Sequence, residues 1–216
     1  MDMYCNCHSI DRARQLFNQQ LPSVDHIAYS TLMKAYLSID QPVQVMELFK
    51  QFQRSSLQFD FVFCSNLIQA GKRLGLANQA EFIHRSIPSD LIETNPLLVN
   101  QLIDMHAHCA HLNEAHRLFE LLKQKDSFSL ANLLHGYAID GQGQQALKIY
   151  HENRRSVRMN EQIYKTILSA CALDGDLVRE AQEIYKSIPE KHRTSEIAAA
   201  MVKLSFEIFY FSLPII

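Results

Sequence analysis

Apolar residues recur along this chain at helical rather than strand spacing, in blocks of roughly ten to fourteen residues separated by short polar breaks. The clearest pair of blocks lies between Pro96 and Asp126 and contains N-Q-L-I-D-M-H-A-H-C-A-H-L-N-E-A-H-R-L-F. It predicts two amphipathic helices, Leu97 to about Cys109 and Asn113 to about Lys123, broken around Ala110, His111 and Leu112. Neither helix can bury its apolar stripe alone. The same pattern returns along the whole chain, so the pair is one unit of an array.

A small residue opens the motif A-x-x-[LI]-[FY] in each second helix, at Ala13, Val45, Ala80, Ala115, Ala146 and Ala181. The intervals are 32, 35, 35, 31 and 35 residues, and Leu16-Phe17, Leu48-Phe49, Leu118-Phe119, Ile149-Tyr150 and Ile184-Tyr185 complete the motif in five units. A small side chain lets two helices of a unit approach closely, while the bulky pair fills the groove against the next unit.

These anchors divide the chain into a partial short repeat, 1–25, with Ser9 as the expected N-cap of its second helix, then 26–60, 61–95, a short repeat 96–126, 127–160, 161–194, and the start of a further repeat in 195–216. In 26–60 the second helix is expected to open with Asp40 as N-cap and Pro42 in its first turn. Turns are expected at Gly75, Asp140-Gly141 and Asp174-Gly175, and stops at Pro88 and Pro189. The fold class expected is all-α, a right-handed α-solenoid of helix-turn-helix repeats with about five complete units.

Composition fits that picture. With 47% hydrophobic and 20% charged residues, six Gly and six Pro in 216, the chain can bury a sizeable core and has little loop. Its formal net charge of -2 argues against nonspecific nucleic-acid binding, which rests on a basic excess, but not against a reader that relies on base edges and stacking. The five Cys are odd in number and scattered, so a reducing compartment is expected and Cys7 and Cys109, which share a place in their repeats, are expected to be packing residues. The apolar run after Leu204 is too short to span a membrane, which takes about 20 residues.

Units of 35 residues alternating with ones of 31 or 32 resemble the pentatricopeptide repeat family, in particular its plant organellar PLS branch. The resemblance is carried by N-Q-L-I-D-M-H-A-H-C from Asn100, F-S-L-A-N-L-L-H-G-Y-A from Phe128 and Y-K-T-I-L-S-A-C from Tyr164, and it covers Met1 to about Lys203. It implies a monomeric binder of single-stranded RNA in a mitochondrion or chloroplast, working with other RNA-editing factors in C-to-U editing, with no cofactor and no membrane.

In that family the fifth and last residues of a repeat select one base, and an apolar second residue stacks on it. The resemblance therefore implies a guanine reader in Ser30 with Asp60, an adenine reader in Ser65 with Asn95 and a uracil reader in Asn100 with Asp126, giving 5'-G-A-U-3'. The stacking places hold Ile27, Val62, Leu97 and Phe128. The next pair, Ala131 with Asn160, departs from the pattern because Ala cannot hydrogen-bond a base, and the following unit has Lys165, Thr194 and a polar Gln162. The competing account is that Ser, Asn and Asp stand at these places as helix caps and turn formers.

Lys72 and Arg73 are the candidates for phosphate contact, with a solvated charge pair as the alternative. His106, His108, Cys109, His111 and His116 offer zinc-ligand chemistry, but the repeat frame sets His106 against Tyr4 and Cys109 against Cys7, and no metal site is expected. The deaminase signature H-x-E with P-C-x-x-C does not occur, so the chain is not expected to be an enzyme. Two other readings stay open, a tetratricopeptide-like peptide-binding scaffold and a nonfunctional truncated gene product. Met1-Asp2-Met3-Tyr4-Cys5 aligns with Ile103 to Ala107, and the sequence from Leu204 leaves the family pattern, so a fragment is expected.

Overall fold

The structure, a computed structural model, describes residues 10–20, 24–174 and 177–201. The expectations for Ser9, Cys5, Cys7, Gly175 and the apolar C-terminal run fall outside them. Every regular element among the described residues is helical. The chain divides into two compact units, Met1–Cys109 and Ala110–Ile216.

The first unit contains α1 (Ile10–Gln20), α2 (His26–Ser38), α3 (Pro42–Phe52), α4 (Phe61–Leu74), α5 (Ala77–Ser86), α6 (Ser89–Thr94) and α7 (Pro96–His108). Helices α2, α4 and α7 pack in succession, with α1 and α3 against α2, α3 and α5 against α4, and α5 and α6 against α7. The second unit contains α8 (Leu112–Leu121), α9 (Ser127–Ile139), α10 (Gly143–Asn153), α11 (Glu161–Asp174) and α12 (Val178–Ser187), followed by a 3-10 turn, Glu190–His192, and a helical stretch at 195–201. There α9 packs on α8, α10 and α11, and α11 on α10 and α12.

The helices start where the chain supplies an acceptor for otherwise unpaired amides. Asp25 Oδ1 accepts from the Ala28 amide at 2.8 Å, Asp60 Oδ1 from Phe63 at 2.7 Å and Asn160 Oδ1 from Ile163 at 3.0 Å. Asp126 accepts from both Phe128 and Ser129, and the Asp126 amide donates to Ser129 Oγ at 3.1 Å, closing a capping box.

The turns inside the repeats share one device. Asp40, Gly75, Ala110 and Gly141 all have positive φ, between 56° and 72°, and each is the fifteenth residue of its repeat in the frame read from sequence. Asp40 is therefore not the N-cap of α3. It ends α2 in the left-handed conformation, with its amide on Leu37 O and the Gln41 amide on Tyr36 O, and Gln41 takes the cap position ahead of Pro42 at the first helical place. Gly141 ends α9 with the same pair of bonds, to Ala138 O and Tyr137 O.

All six anchor residues, Ala13, Val45, Ala80, Ala115, Ala146 and Ala181, are completely buried. In the first unit the ring that follows the anchor helps build an aromatic seam. Tyr29 sits edge-on to Phe17 and Phe52, and Phe52 stacks on Phe63 at a 3.9 Å centroid distance. Two glycines are closely approached, Gly71 by side chains and Gly143 by a neighbouring backbone. A Cβ on Gly71 would lie 2.6 Å from Ile83 Cδ1 and 2.7 Å from Met105 Sδ, and one on Gly143 would lie 2.7 Å from the Ala170 carbonyl oxygen. Helix α10 has no cap of its own from Gln142. Its Gln144 amide instead donates to Asp174 Oδ2, 3.0 Å away on α11.

Candidate functional site

The second residue of a helix whose buried stripe begins one or two residues later faces away from the core. Ile27, Val62 and Leu97 hold that place in α2, α4 and α7 of the first unit, and Phe128 holds it in α9 of the second. They are 59%, 53%, 64% and 60% exposed, although each stands beside deeply buried residues such as Tyr29, Phe63, Leu98 and Leu130. A large apolar side chain left in water at this place of the repeat is what distinguishes each of these helices from one with an ordinary polar face.

One turn into the same helices stand the residues implied to read bases. Ser30 and Asn100 are buried, Ser65 is half-buried and Ala131 is buried with no polar group to offer. The Ser30 hydroxyl has no hydrogen-bond partner among the described residues, while the Ser30 carbonyl accepts from Asn66 Nδ2 at 3.1 Å. That bond ties α2 to α4 beside Ser65.

The last residues of the repeats lie at the helix entrances, and several already have backbone work. Asp60, Asp126 and Asn160 each commit Oδ1 to a cap, whereas Asn95, half-buried ahead of α7, makes no side-chain cap bond. Asp60 has a second neighbour, His26, whose Nε2 lies 3.5 Å from Asp60 Oδ2. In the later unit Lys165 is exposed and forms an ion pair with Glu196, which raises the Lys165 pKa and lowers that of Glu196 through their hydrogen bond. Gln162 is exposed and Thr194 half-buried.

Lys72 and Arg73 hold neighbouring helices together. Lys72 Nζ pairs with Asp104 Oδ2 at 2.6 Å, from α4 to α7, and Arg73 donates to the Leu37 carbonyl and lies 3.3 Å from Asp40 Oδ1, at the end of α2. These ties, like Asn66 to Ser30, join residues about one repeat apart. The side-chain pairs Lys72 with Asp104 and Arg73 with Asp40 are complementary charges at that offset and so have a signal in the sequence, whereas the Leu37 and Ser30 carbonyls have none.

Among the described residues no three His, Cys, Asp or Glu side chains gather as a metal site. The histidine-rich stretch is instead distributed into separate contacts. His106 is fully buried with Nε2 3.0 Å from Nδ1 of His84, which occupies the place taken by Phe or Tyr in the other second helices. His116 Nδ1 lies 3.0 Å from the Tyr137 hydroxyl, and the Cys109 thiol points at the Gly71 carbonyl, 3.7 Å away. Cys64, Cys109 and Cys171 are buried free thiols, and desolvation, with nearby carboxylates adding to it, pushes them up to about 12, 11 and 12.

The pentatricopeptide family profile, "PPR repeat", matches residues 27–57. A mitochondrial pentatricopeptide repeat-containing protein of Arabidopsis thaliana is 27% identical over 196 residues, which cover 90% of this chain and 25% of the relative. A second mitochondrial one is 29% identical over 193 residues, 89% of this chain and 31% of the relative, and a chloroplastic one is 22% identical over 193 residues, 89% and 24%. The chain thus spans about a quarter to a third of the length of these relatives. The crystal structure of the maize pentatricopeptide repeat protein PPR10 superposes with a TM-score of 0.77 at 17% identity, over 94% of this chain and 30% of that one. The same protein in complex with an 18-nt psaJ RNA element superposes with a TM-score of 0.77 at 16% identity, over 97% and 34%. The fold class is accordingly an all-α solenoid of helix-turn-helix repeats.

Proposed function

We propose that this chain is a pentatricopeptide repeat protein and that it binds single-stranded RNA as a sequence-selective, non-catalytic reader. One observation carries the reading: Ile27, Val62 and Leu97 stand exposed at one register of three successively packed helices. Each lies three residues ahead of Ser30, Ser65 or Asn100. Unpaired bases gain about 1 to 3 kcal/mol each from stacking on such surfaces, and a polar residue one helical turn on can then test the base edge. The RNA-bound structure of PPR10, which shares this fold, supports the same ligand class.

The base order is 5'-G-A-U-3', with Ser30 and Asp60 taking guanine, Ser65 and Asn95 adenine, and Asn100 uracil. Asp60 and Asn95 differ in the way this requires. A carboxylate only accepts, which suits the two donors on the guanine edge, whereas an amide both donates and accepts, which suits adenine. The alternation of 35-residue units with 31- and 32-residue ones supports membership of the PLS branch. The mitochondrial and chloroplastic names of the relatives support an organellar role in RNA processing or C-to-U editing.

The test is a competition among G-A-U, G-A-A and G-A-C in an otherwise constant strand, repeated with Asn100→Ser. Preference for G-A-U in the parent and its loss in the variant are expected. Equal binding of the three strands, or an unchanged ranking in the variant, would refute base reading at Asn100.

A further inference from the structure

We infer that His26 is a specificity-determining residue of the first reading position, where it gates the Asp60 carboxylate by protonation. The inference rests on Asp60 being a guanine reader, as proposed above. Asp60 has two oxygens and they are differently placed. Oδ1 is spent on the Phe63 amide at 2.7 Å, so Oδ2 is the oxygen left to accept from a base, and the imidazole Nε2 of His26 lies 3.5 Å from it. The two side chains are 46% and 38% exposed, so water, a proton and a nucleotide all have access.

When His26 is neutral, Oδ2 is available to the N–H donors of guanine. When it is protonated, its Nε2–H becomes a charged donor that draws Oδ2 toward itself and competes with the base. The other charged groups at this corner are Asp25, whose Oδ1 is held by the Ala28 amide, and Arg14 of α1, whose charge acts on Tyr29 in the first turn of α2. Helix α3 turns its Glu47 and Lys50 to solvent. None of these replaces His26 as the donor beside Oδ2.

The arrangement is peculiar to this repeat. The residues at the place of His26 in the following repeats are Phe61, Pro96, Ser127 and Glu161, and none is basic. The adenine position formed by Ser65 and Asn95 begins with Phe61 and so serves as an internal control.

The experiment measures the ratio of binding to G-A-U and A-A-U strands, and to G-A-U and G-G-U strands, at pH 5.5 and 8 for the parent and for His26→Phe. Guanine preference at the first place is expected to fall by about threefold on acidification, the scale of a partly exposed ion pair, with no change at the second place and none in His26→Phe. In the free protein the NMR shift of the Phe63 amide, which donates to the same carboxylate, should differ between pH 5.5 and 8, and His26→Phe should abolish that difference. A guanine preference that is present but equal at both pH values overturns the role of His26 and leaves the base reading intact. No preference at either pH overturns both. A Phe63 shift difference between the two pH values that is unchanged in His26→Phe overturns the gating whatever the RNA result.

Discussion

The Asn66 side-chain amide donates to the Ser30 carbonyl at 3.1 Å, so the sixth residue of one repeat holds the fifth residue of the repeat before it. This bond crosses between α2 and α4, which Arg73 also joins through the Leu37 carbonyl. Replacing Asn66 by Ala removes the donor, with an expected loss of about 1 kcal/mol in chemical denaturation. Asn66→Asp should fare no better, because a carboxylate cannot donate.

Asp60 and Asp126 cap helices and, in the function proposed above, also select a base, and the two purposes separate by substitution. Asp126→Ala removes the acceptor for Phe128 and Ser129 and should cost about 1 to 2 kcal/mol, while Asp126→Asn keeps an acceptor and most of that stability. Asp60→Asn should likewise keep the Phe63 cap. Its effect should appear in binding, as a shift from guanine toward adenine at the first place, measured in the same strand competition. A loss of stability in Asp60→Asn as large as in Asp60→Ala would contradict this separation.

The turn geometry makes an opposed pair of predictions. Ala110 sits at φ 57° and Gly141 at φ 72°, at the same place in their repeats. Left-handed backbone costs a residue with a Cβ about 1 kcal/mol relative to Gly. Ala110→Gly should therefore raise the unfolding free energy in chemical denaturation and Gly141→Ala should lower it, each by about 1 kcal/mol, with helix content unchanged by circular dichroism.

The thiols predict an alkaline limit to stability. Burial raises Cys64 and Cys171 to about 12 and Cys109 to about 11, from an ordinary value near 9. Between those values the unfolded chain loses protons that the folded one keeps, so the folded state is penalised as pH rises. This contribution is whole below about pH 9 and is lost as pH climbs toward 11 to 12. Stability measured at pH 8 and 10 should fall, and fall less in a Cys64→Ala, Cys171→Ala variant relative to its own value at pH 8. In the native state at pH 8 the three thiols should react with a thiol reagent only at the rate of opening.

The helical periodicity and the small anchor residues were legible from the chain because both are one-dimensional signals. The break expected at Ala110 to Leu112 falls between α7 and α8 within a residue or two of the expected ends. Asp40 departs from the expected N-cap for a physical reason. Asp suits both an N-cap and a left-handed C-terminal turn, and which it takes depends on the bonds closing the preceding helix. The short helix α6 carried too few residues for a periodic signal. The ties from Lys72 to Asp104 and from Arg73 to Leu37 join residues about one repeat apart, beyond the reach of a local pattern of charge.

What the sequence by itself determined is the repeating unit: apolar spacing, small anchors and polar breaks dictate helix pairs that cannot be stable except against their neighbours. It also placed an apolar residue at the second position of α2, α4, α7 and α9. Only the tertiary structure decided that those residues face water while their neighbours are buried, because exposure depends on which face the adjoining helix covers. Packing likewise decided that Asp60 divides its oxygens between a cap and His26. Those contacts join residues more than thirty positions apart in one case and three in the other, and only folding brings both to one carboxylate.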